Sequence, residues 1–248
     1  MKKILVIVLL IFFPSVILAD FKDDTTKFKL ARQNMVAKQI RRRGITDPKI
    51  LAAMSEVPRH LFVPKSLRGR AYLDRPLPIG EGQTISQPYI VALMTESLKL
   101  TGNERILEIG TGSGYQAAIL ARIVKEVYTI EIKKKIYKRA TEVLQMLQFT
   151  NIKTRQGDGY FGWDQATPFD SIMITAAIDH IPPPLLQQLK NGGRLILPLG
   201  NPLRFQNLTL VTKYDDDYTV KQITGVLFVP MTGYALEPAR NALSEPPR

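Results

Sequence analysis

The stretch Arg105-Ile-Leu-Glu-Ile-Gly-Thr-Gly-Ser-Gly114 joins five residues of strand character to a loop with three glycines. Apolar residues from Tyr115 to Ile123 follow, so the loop leads directly from a strand into a helix. In a doubly wound sheet, a loop of this kind lies beyond the carboxyl end of its strand, where ligands bind. A Cβ atom there would hold the backbone away from the ligand and oppose the positive φ angles of a tight turn. The stretch therefore predicts an α/β fold with a ligand site at residues 110–114.

Short strands alternate with helices along the chain from Glu104 onward. The predicted strands are Arg105–Ile109, Glu126–Ile130, Ile152–Gln156, Phe169–Thr175 and Arg194–Leu199. The predicted helices between them are Tyr115–Ile123, 136–147 and Pro183–Leu189. This succession predicts a doubly wound, mostly parallel sheet. Leu208–Tyr214 and Tyr218–Val229 are expected to close it as an antiparallel strand pair around the turn at residues 215–217.

The chain before this region is predicted to form a helical N-terminal extension. Apolar residues recur at roughly helical spacing over residues 30–40, and Gly44 follows as a stop. Asp47-Pro48 has the form of an N-cap followed by proline at the first helical position, which predicts a helix to about Val57. Another helix is predicted to begin near Pro88, after a proline-rich stretch.

The spacing of the glycines distinguishes between the two ligands that such a loop can hold. The dinucleotide fingerprint G-x-G-x-x-G/A would place its third small residue at position 115, but the chain has Tyr115 there and its third glycine at Gly114. Glu108 supplies the acidic position that methyltransferases use near the amino-acid end of their cofactor. Glu131 ends the next predicted strand, where a carboxylate can accept bonds from both ribose hydroxyls. Two acids beside the glycines suit a cationic sulfonium better than a phosphate, so the loop predicts S-adenosylmethionine.

Asp158-Gly159 follows the third predicted strand and is a further candidate. Asp158 can accept a hydrogen bond from an adenine amino group, but an ordinary Asp-Gly turn also explains the pair. His60, His180 and Trp163 are expected to be structural or surface residues rather than catalytic ones.

The composition limits the function further. The chain has 248 residues with 45% apolar content, enough for one main globular domain. It has no cysteine, which excludes disulfides, thiolate metal sites and a cysteine nucleophile, and its two histidines are far apart, so no metal is expected. The net charge of +12 includes runs of basic residues at 41–43 and 133–135. Such runs are usually solvated surface, so no specific nucleic-acid partner is expected.

The N-terminus has the form of a secretory signal. Lys2 and Lys3 precede an apolar run from Ile4 to Phe13, and the apolar segment ends at Ala19. An uncleaved anchor is the alternative, although the segment is short for a bilayer span of roughly 20 residues. We therefore expect a leader at 1–19, a polar linker at 20–30, the main domain at 31–235 and a C-terminal tail at 236–248.

The chain resembles the protein-L-isoaspartate (D-aspartate) O-methyltransferases of bacterial type over roughly Ala31 to Met231. The matching stretches are Val57-Pro-Arg-His-Leu-Phe-Val63, Leu77-Pro-Ile-Gly-Glu-Gly-Gln-Thr-Ile-Ser-Gln-Pro-Tyr89, 106–118, Gly157-Asp-Gly-Tyr160, Pro168-Phe-Asp170, Thr175-Ala-Ala177 and Phe228-Val-Pro-Met231. The part from Gln83 to Pro88 is far more specific than the glycine loop, which all methyltransferases of this class share.

The resemblance implies a Rossmann-like class I methyltransferase that uses S-adenosylmethionine, releases S-adenosylhomocysteine and needs no metal. Its substrates would be damaged proteins, methylated on the free α-carboxylate of L-isoaspartyl or D-aspartyl residues and repaired through a succinimide. It implies Ser86 as the active-site hydroxyl, with Thr84 beside it; a helix cap before Pro88 is the alternative role of Ser86. The implied cofactor-binding residues are Ile79, Gly80, Gln83, Glu108, Gly110, Thr111, Gly112, Ser113, Gly114, Glu131, Asp158, Gly159 and Thr175. The implied substrate-binding residues are Gln83, Val229 and Pro230.

Two other functions stay open at this point, a methyltransferase for RNA or a small molecule, and a non-catalytic protein that retains the fold. The location is open as well. The leader favours export to the periplasm or envelope, with membrane contact only through the leader, whereas the resemblance and the cytosolic supply of the methyl donor favour the cytoplasm. Translation starting near Met35 would reconcile the two. We expect a monomer.

Overall fold

The computed structural model of the chain describes residues 24–236. The predicted leader, residues 20–23 of the predicted linker and the chain after residue 236 lie outside this range. A two-stranded hairpin consists of β1 (Leu77–Gly80) and β2 (Gln83–Ile85). The main sheet consists of β3 (Arg105–Ile109), β4 (Glu126–Glu131), β5 (Ile152–Gln156), β6 (Phe169–Ile174), β7 (Leu189–Gly200), β8 (Gln206–Tyr214) and β9 (Asp217–Val226).

The main sheet has the strand order β5-β4-β3-β6-β7-β8-β9. Its pairs are parallel from β5 through β7, and β8 and β9 are added in antiparallel orientation. The predicted fold class, a doubly wound and mostly parallel sheet closed by an antiparallel strand pair, is therefore confirmed. The chain leaves β3 for β4 and β5 on one side and returns to β6 on the other, so the crevice between the carboxyl ends of β3 and β6 is the topological switch point.

The α-helices pack on both faces of this sheet or form the N-terminal extension. Their bounds are α1 (Thr26–Met35), α2 (Pro48–Glu56), α3 (Pro88–Ser97), α4 (Tyr115–Ala121), α5 (Lys134–Met146) and α6 (Pro183–Gln188). The predicted start of α2 is confirmed, since the side chain of Asp47 accepts hydrogen bonds from the amides of Lys49 and Ile50.

Residues of β3 alternate between the two faces of the sheet, and both faces are buried. Ile106 packs with the extension, α3 and α4, whereas Leu107 and Ile109 pack on the opposite face with residues such as Phe169 and Leu185. Burial on both faces is the reason why the parallel strands read as nearly continuous apolar runs.

The N-terminal extension begins earlier than the sequence indicated. Helix α1 starts at Thr26, inside the predicted linker, and continues through a π-helix (Val36–Ile40) and a 3₁₀ turn to Gly44, whose φ of 94° ends it. Asp24, in the predicted linker, is held in place because the Arg32 guanidinium pairs with both of its carboxylate oxygens at 2.9 and 3.0 Å.

Three further departures are local. The β1–β2 hairpin was not predicted; its tip uses positive φ angles at Gly80, Glu81 and Gly82. Strand β7 begins at Leu189 rather than at Arg194, because the chain continues directly from α6 into the sheet. Strand β9 ends at Val226, three residues before the predicted end.

Two kinds of feature are absent from the described residues. None of the helices within 24–236 is both long and apolar enough to cross a membrane. The same part of the chain has no group of three or more histidine or acidic side chains placed to hold a metal ion.

Candidate active site

A cleft that is partly open to solvent lies at the switch point between β3 and β6. It brings together the β2–α3 segment, the loop after β3, the end of β4 and the segment after β9. The residues that line it are Gln83, Thr84, Ile85, Ser86, Val91, Glu108, Ile109, Gly110, Thr111, Gly112, Ser113, Tyr115, Gln116, Ile130, Glu131, Ile132, Lys133, Gly159, Thr175, Ala176, Val229, Pro230, Met231 and Thr232.

The glycine loop forms the floor of the cleft in a backbone conformation that side chains oppose. Gly110 and Gly112 have φ angles of 95° and 53°. A Cβ atom on Gly110 would lie 2.6 Å from Oγ1 of Thr175, which donates to the carbonyls of Ile109 and Gly110 at 3.1 and 2.7 Å. The Thr175 hydroxyl therefore ties the end of β6 to the loop, and this tie requires glycine at position 110.

Glu108 is fully buried directly below the loop. Its Oε2 accepts a hydrogen bond from Thr129 at 2.5 Å, and the Thr129 hydroxyl also contacts that of Thr111 at 2.7 Å. Its Oε1 has no hydrogen-bond partner among the described residues. Burial raises the pKa of Glu108 to about 8, against the lowering effect of the Thr129 hydrogen bond, and the charge of Glu131 raises it further. A buried carboxylate oxygen without a partner favours a cationic ligand that would satisfy it.

Glu131 ends β4 on the neighbouring side of the cleft, where its side chain is 5% exposed. Its Oε2 accepts from the amide of Gly112 at 2.8 Å and its Oε1 from the amide of Lys133 at 2.9 Å. The two bonds fix the carboxylate in place, and each oxygen retains acceptor capacity toward the cleft. This arrangement fits a ligand with vicinal hydroxyls.

The hydroxyls of Thr84 and Ser86 face the opposite part of the cleft. Thr84 is exposed and Ser86 half-buried, and within residues 24–236 neither hydroxyl makes a hydrogen bond. The alternative role of Ser86 as a helix cap is not supported, because the N-cap residue of α3 is Gln87 and no side-chain cap bond forms. Both hydroxyls are therefore free to bind a ligand.

Arg59 anchors the segment that carries Ser86. Its side chain is fully buried, donates to the carbonyls of Ala71 at 2.8 Å and of Ser86 at 2.7 Å, and lies 4.8 Å over the ring of Tyr115. Burial lowers the pKa of Arg59 to about 10, and Tyr115 and Tyr72 partly offset this effect. Its Nη1 has no partner in the described part of the chain. A buried cation without a carboxylate partner is costly, so its contacts to Ser86 and Tyr115 point to a role at the cleft.

The segment after β9 closes the cleft from the side of β6. The carbonyl of Val229 accepts from the amide of Ala177 at 2.8 Å, and the amide of Met231 donates to the carbonyl of Ala177 at 2.8 Å. These two bonds hold Val229 and Pro230 against the end of β6, across the cleft from the β2–α3 segment.

Most of the residues predicted for the site lie together in this cleft, but four do not line it. Gly114 begins α4 with a φ of 86°, and a Cβ atom there would meet Leu144 of α5 at 3.3 Å, so its glycine serves helix packing. The carboxylate of Asp158 accepts from the amides of Tyr160 and Tyr234 at 2.9 and 2.8 Å. Ile79 and Gly80 lie in the hairpin, where Arg139 of α5 donates to the carbonyl of Ile79. Their predicted contacts with the cofactor, and that of Asp158 with adenine, stay predictions.

The sequence did not indicate several residues at or near the site. Gln116 and Lys133 line the cleft, and Gln116 donates to Thr95 of α3 at 3.0 Å. Arg59 stands within one of the matching stretches, and a charged residue among the apolar residues of 57–63 was the available signal. The expectation that His60 is structural agrees with its burial, because its ring stacks on Phe28 at 4.0 Å.

Comparisons with known proteins find relatives that match this chain along almost the whole domain. The family model for protein-L-isoaspartate(D-aspartate) O-methyltransferase matches residues 31–235. Protein-L-isoaspartate O-methyltransferase 2 of Shewanella sediminis is 66% identical over 214 residues, which cover 86% of this chain and 88% of that protein. Protein-L-isoaspartate O-methyltransferase 1 of Nitrosospira multiformis is 54% identical over 210 residues, covering 84% and 89% of the two chains.

Solved structures show the same fold. A protein-L-isoaspartate O-methyltransferase superimposes with a TM-score of 0.76 at 31% identity and covers 87% of this chain and 71% of its own. A Plasmodium falciparum protein assigned to the same enzyme class, solved with S-adenosyl-L-homocysteine, superimposes with a TM-score of 0.72 at 24% identity and covers 81% and 98% of the two chains.

Proposed function

The chain belongs to the protein-L-isoaspartate(D-aspartate) O-methyltransferase family, and we infer that it methylates the free α-carboxylate of isoaspartyl residues in damaged proteins. The observation that carries this inference is one cleft in which the glycine loop and its buried acid face the free hydroxyls of Thr84 and Ser86. The methyl ester of an isoaspartyl residue cyclises to a succinimide, and hydrolysis of that ring returns part of the protein to normal aspartate.

The residues of the glycine loop fit S-adenosylmethionine. The unpartnered Oε1 of Glu108 suits the ammonium group of the methionine part, and the fixed carboxylate of Glu131 suits the ribose hydroxyls. The positive φ angles of Gly110 and Gly112 bring the backbone of the loop to the surface of the cleft, where a ligand can approach it closely. When bound, the cofactor supplies an electrophilic methyl group on a sulfonium centre.

Ser86 and Thr84 orient the acceptor carboxylate. The acceptor is already ionised at neutral pH, so the chain needs no strong general base for the transfer. Its residues act mainly by alignment: a hydroxyl that donates to one carboxylate oxygen directs the other toward the methyl group. Arg59 supports this alignment because it holds the carbonyl of Ser86. Gln83, Val229 and Pro230 lie around the same hydroxyls and contact the peptide substrate.

A transfer assay with two peptides tests the function. The purified chain is incubated with methyl-labelled S-adenosylmethionine and either an isoaspartyl peptide or the same sequence with normal aspartate. We expect label on the isoaspartyl peptide only, together with a succinimide after the ester has decayed. Equal labelling of both peptides, or of neither, would rule the proposed function out.

For the location, we propose that residues 1–19 export the chain from the cytoplasm. The apolar leader supports this proposal. Initiation near Met35 is disfavoured because Phe28 and Arg32, which precede it, are packed in the fold. N-terminal sequencing of the protein from separated cell fractions tests the proposal. A chain in the cytosolic fraction, with its N-terminus at Met1 or Met35, would contradict it.

A further inference from the structure

Three large apolar side chains stand almost fully in solvent at the end of the sheet that carries the cleft. Leu203, Phe205 and Leu227 are 85%, 82% and 71% exposed, the highest values among the large apolar residues described. Single exposed apolar residues are common, but a contiguous group of them on a monomer marks an interaction site. We call these three residues the apolar shelf.

The strand register brings two of the shelf residues, Phe205 and Leu227, close to each other, and Leu203 lies in the adjoining loop. Strand β7 ends at Gly200, and the loop 201–205 leads into β8 at Gln206. Gln206 pairs with Val226 in β9, so the register carried one step further sets Phe205 opposite Leu227. The carboxyl ends of β7 and β9 and the start of β8 all lie at the cleft end of the sheet, because β8 is antiparallel to both neighbours.

A buried glutamine fixes the shelf in position. Gln206 is 2% exposed, and its side-chain Nε2 donates to the carbonyls of Asn201 and Arg204 at 2.8 and 2.5 Å. Its Oε1 accepts from the amide of Phe228 at 2.9 Å. One side chain thus ties the loop 201–205 to the segment that leaves β9. The shelf is preorganised by these bonds, as expected of a surface that binds a partner.

The shelf continues into the cleft along the chain. Residues 227–231 run from the shelf to the end of β6, where Val229 bonds to Ala177 and lines the cleft. Leu227 precedes Val229 by two residues, a separation of at most about 7 Å at roughly 3.3 Å per residue. A substrate polypeptide with its isoaspartyl residue beside Val229 and Ser86 would pass over Leu227 within two or three residues.

We propose that the apolar shelf binds an apolar side chain of the substrate polypeptide, two or three residues from the isoaspartyl residue. The inference rests on the proposed function for its ligand and adds a sequence preference to it. Continuity with the cleft favours the substrate over a second copy of the chain or a lipid surface. Binding of an apolar side chain to the shelf is favourable because it removes the apolar surfaces of the side chain and of the shelf from water.

The test uses the full chain and two series of isoaspartyl peptides, one with leucine and one with serine at the second and third positions on either side of the isoaspartyl residue. The KM of the wild type is expected to be about tenfold lower for one leucine peptide than for its serine counterpart, the size expected when part of a leucine side chain is buried. Phe205→Ser and Leu227→Ser are expected to remove this difference. Val220→Ser is the matched control, since Val220 is 50% exposed on β9 away from the shelf, and it should keep the difference.

A second measurement separates this inference from the proposed function. Calorimetric titration of the same peptides, with S-adenosylhomocysteine present, records binding without methyl transfer. If the leucine peptide binds more tightly and Phe205→Ser abolishes the difference while no peptide is methylated, the shelf stands and the proposed function fails. Equal binding of both peptides by the wild type overturns the shelf, whatever the transfer assay shows.

Two other occupants would also overturn the inference. If Phe205→Ser converts a dimer into a monomer in light scattering and leaves the peptide preference intact, the shelf is an interface between copies. If anionic phospholipid vesicles sediment the wild type but neither shelf variant, and no peptide preference exists, the shelf binds lipid.

Discussion

At the residue scale, the hydroxyl of Ser86 makes no hydrogen bond within the described chain. It therefore has no structural partner there and is free to orient the carboxylate of the substrate. We expect Ser86→Ala to lower kcat by about a hundredfold, the size expected for a misaligned acceptor. The Kd for S-adenosylhomocysteine, measured by calorimetry, should stay near the wild-type value. Ser97→Ala is the matched control, since the Ser97 hydroxyl bonds within α3. A wild-type kcat in Ser86→Ala would remove Ser86 from the mechanism.

Glu108 makes the stability of the ligand-free protein depend on pH. Burial raises the pKa of Glu108 to about 8, whereas an unfolded glutamate titrates near about 4.3. Between these values the folded protein holds a proton that the unfolded chain has released, so this residue lowers stability as the pH rises through that window. We expect Glu108→Gln to melt above the wild type by a margin that grows from about pH 5 to about pH 8.

The comparison of the two proteins is its own control, because Glu131 and all other titrating groups are present in both. Differential scanning calorimetry without cofactor measures the margin at each pH. A margin that is the same at every pH would show that Glu108 is already ionised in the folded protein.

Arg59 links the N-terminal extension to the acceptor side of the cleft. A lysine at this position retains the charge but cannot donate to both carbonyls and also lie over Tyr115. We expect Arg59→Lys to lower the free energy of unfolding by about 2–4 kcal/mol and kcat by about tenfold. Chemical denaturation and steady-state kinetics measure the two effects.

Arg32→Lys is the matched control for Arg59→Lys. Arg32 is also buried in the extension and bonds to Asp24, Ser55 and Tyr72, but it does not contact the segment of Ser86. The Arg32→Lys variant should lose a comparable free energy of unfolding and keep the wild-type kcat. If both variants lost turnover to the same extent, Arg59 would be a purely structural residue.

At the scale of elements, the turn between β3 and α4 lines the cleft and is the predicted cofactor half of the site. We expect Gly110→Ala to lower the free energy of unfolding by about 1–3 kcal/mol, since its φ of 95° and the contact with Thr175 both oppose a Cβ atom. The affinity of the Gly110→Ala protein for S-adenosylhomocysteine should also fall. Thermal melts with and without this ligand measure both effects.

Gly69→Ala is the control for the turn. A Cβ atom added at Gly69 would meet no atom within 4 Å, and the residue has no positive φ angle. Alanine there should therefore be neutral or stabilise the protein by a few tenths of a kcal/mol. A Gly110→Ala protein that melts like Gly69→Ala would show that the loop adjusts without strain.

At the scale of the whole molecule, α1 completes the core of the extension. Phe28 stacks on the buried His60, whose Nδ1 lies 2.8 Å from the hydroxyl of Tyr72. Arg32 donates to that hydroxyl at 3.1 Å and to the carbonyl of Ser55 at 2.6 Å.

A chain that begins at Met35 is therefore expected to be destabilised by about 5 kcal/mol, because several buried polar groups lose their partners at once. A chain that begins at residue 20 should melt like the full chain. Urea denaturation followed by circular dichroism compares the two. Equal midpoints would show that α1 contributes nothing to the fold.

The sequence by itself determined the fold class, and it predicted the cofactor-binding loop and the hydroxyls of Thr84 and Ser86. Strand and helix periodicities are local, and the glycines at 110, 112 and 114 lie within a few residues of Glu108. Glu131 could be placed because parallel strands end at the same edge of a sheet. The fold prediction is confirmed, whereas the roles of Ser86 and Thr84 stay predictions for the experiments above.

Only the tertiary structure decided how residues distant in the sequence are used. It assigned Gly114 to helix packing, engaged both oxygens of Asp158 with backbone amides, and turned part of the predicted linker into α1. It also brought Arg59 under Ser86, 27 positions away, and paired Gln206 with Val226, the neighbours of Phe205 and Leu227. The physical reason is that these contacts depend on strand order, register and burial, which join elements far apart in the chain and leave no periodic trace within any one of them.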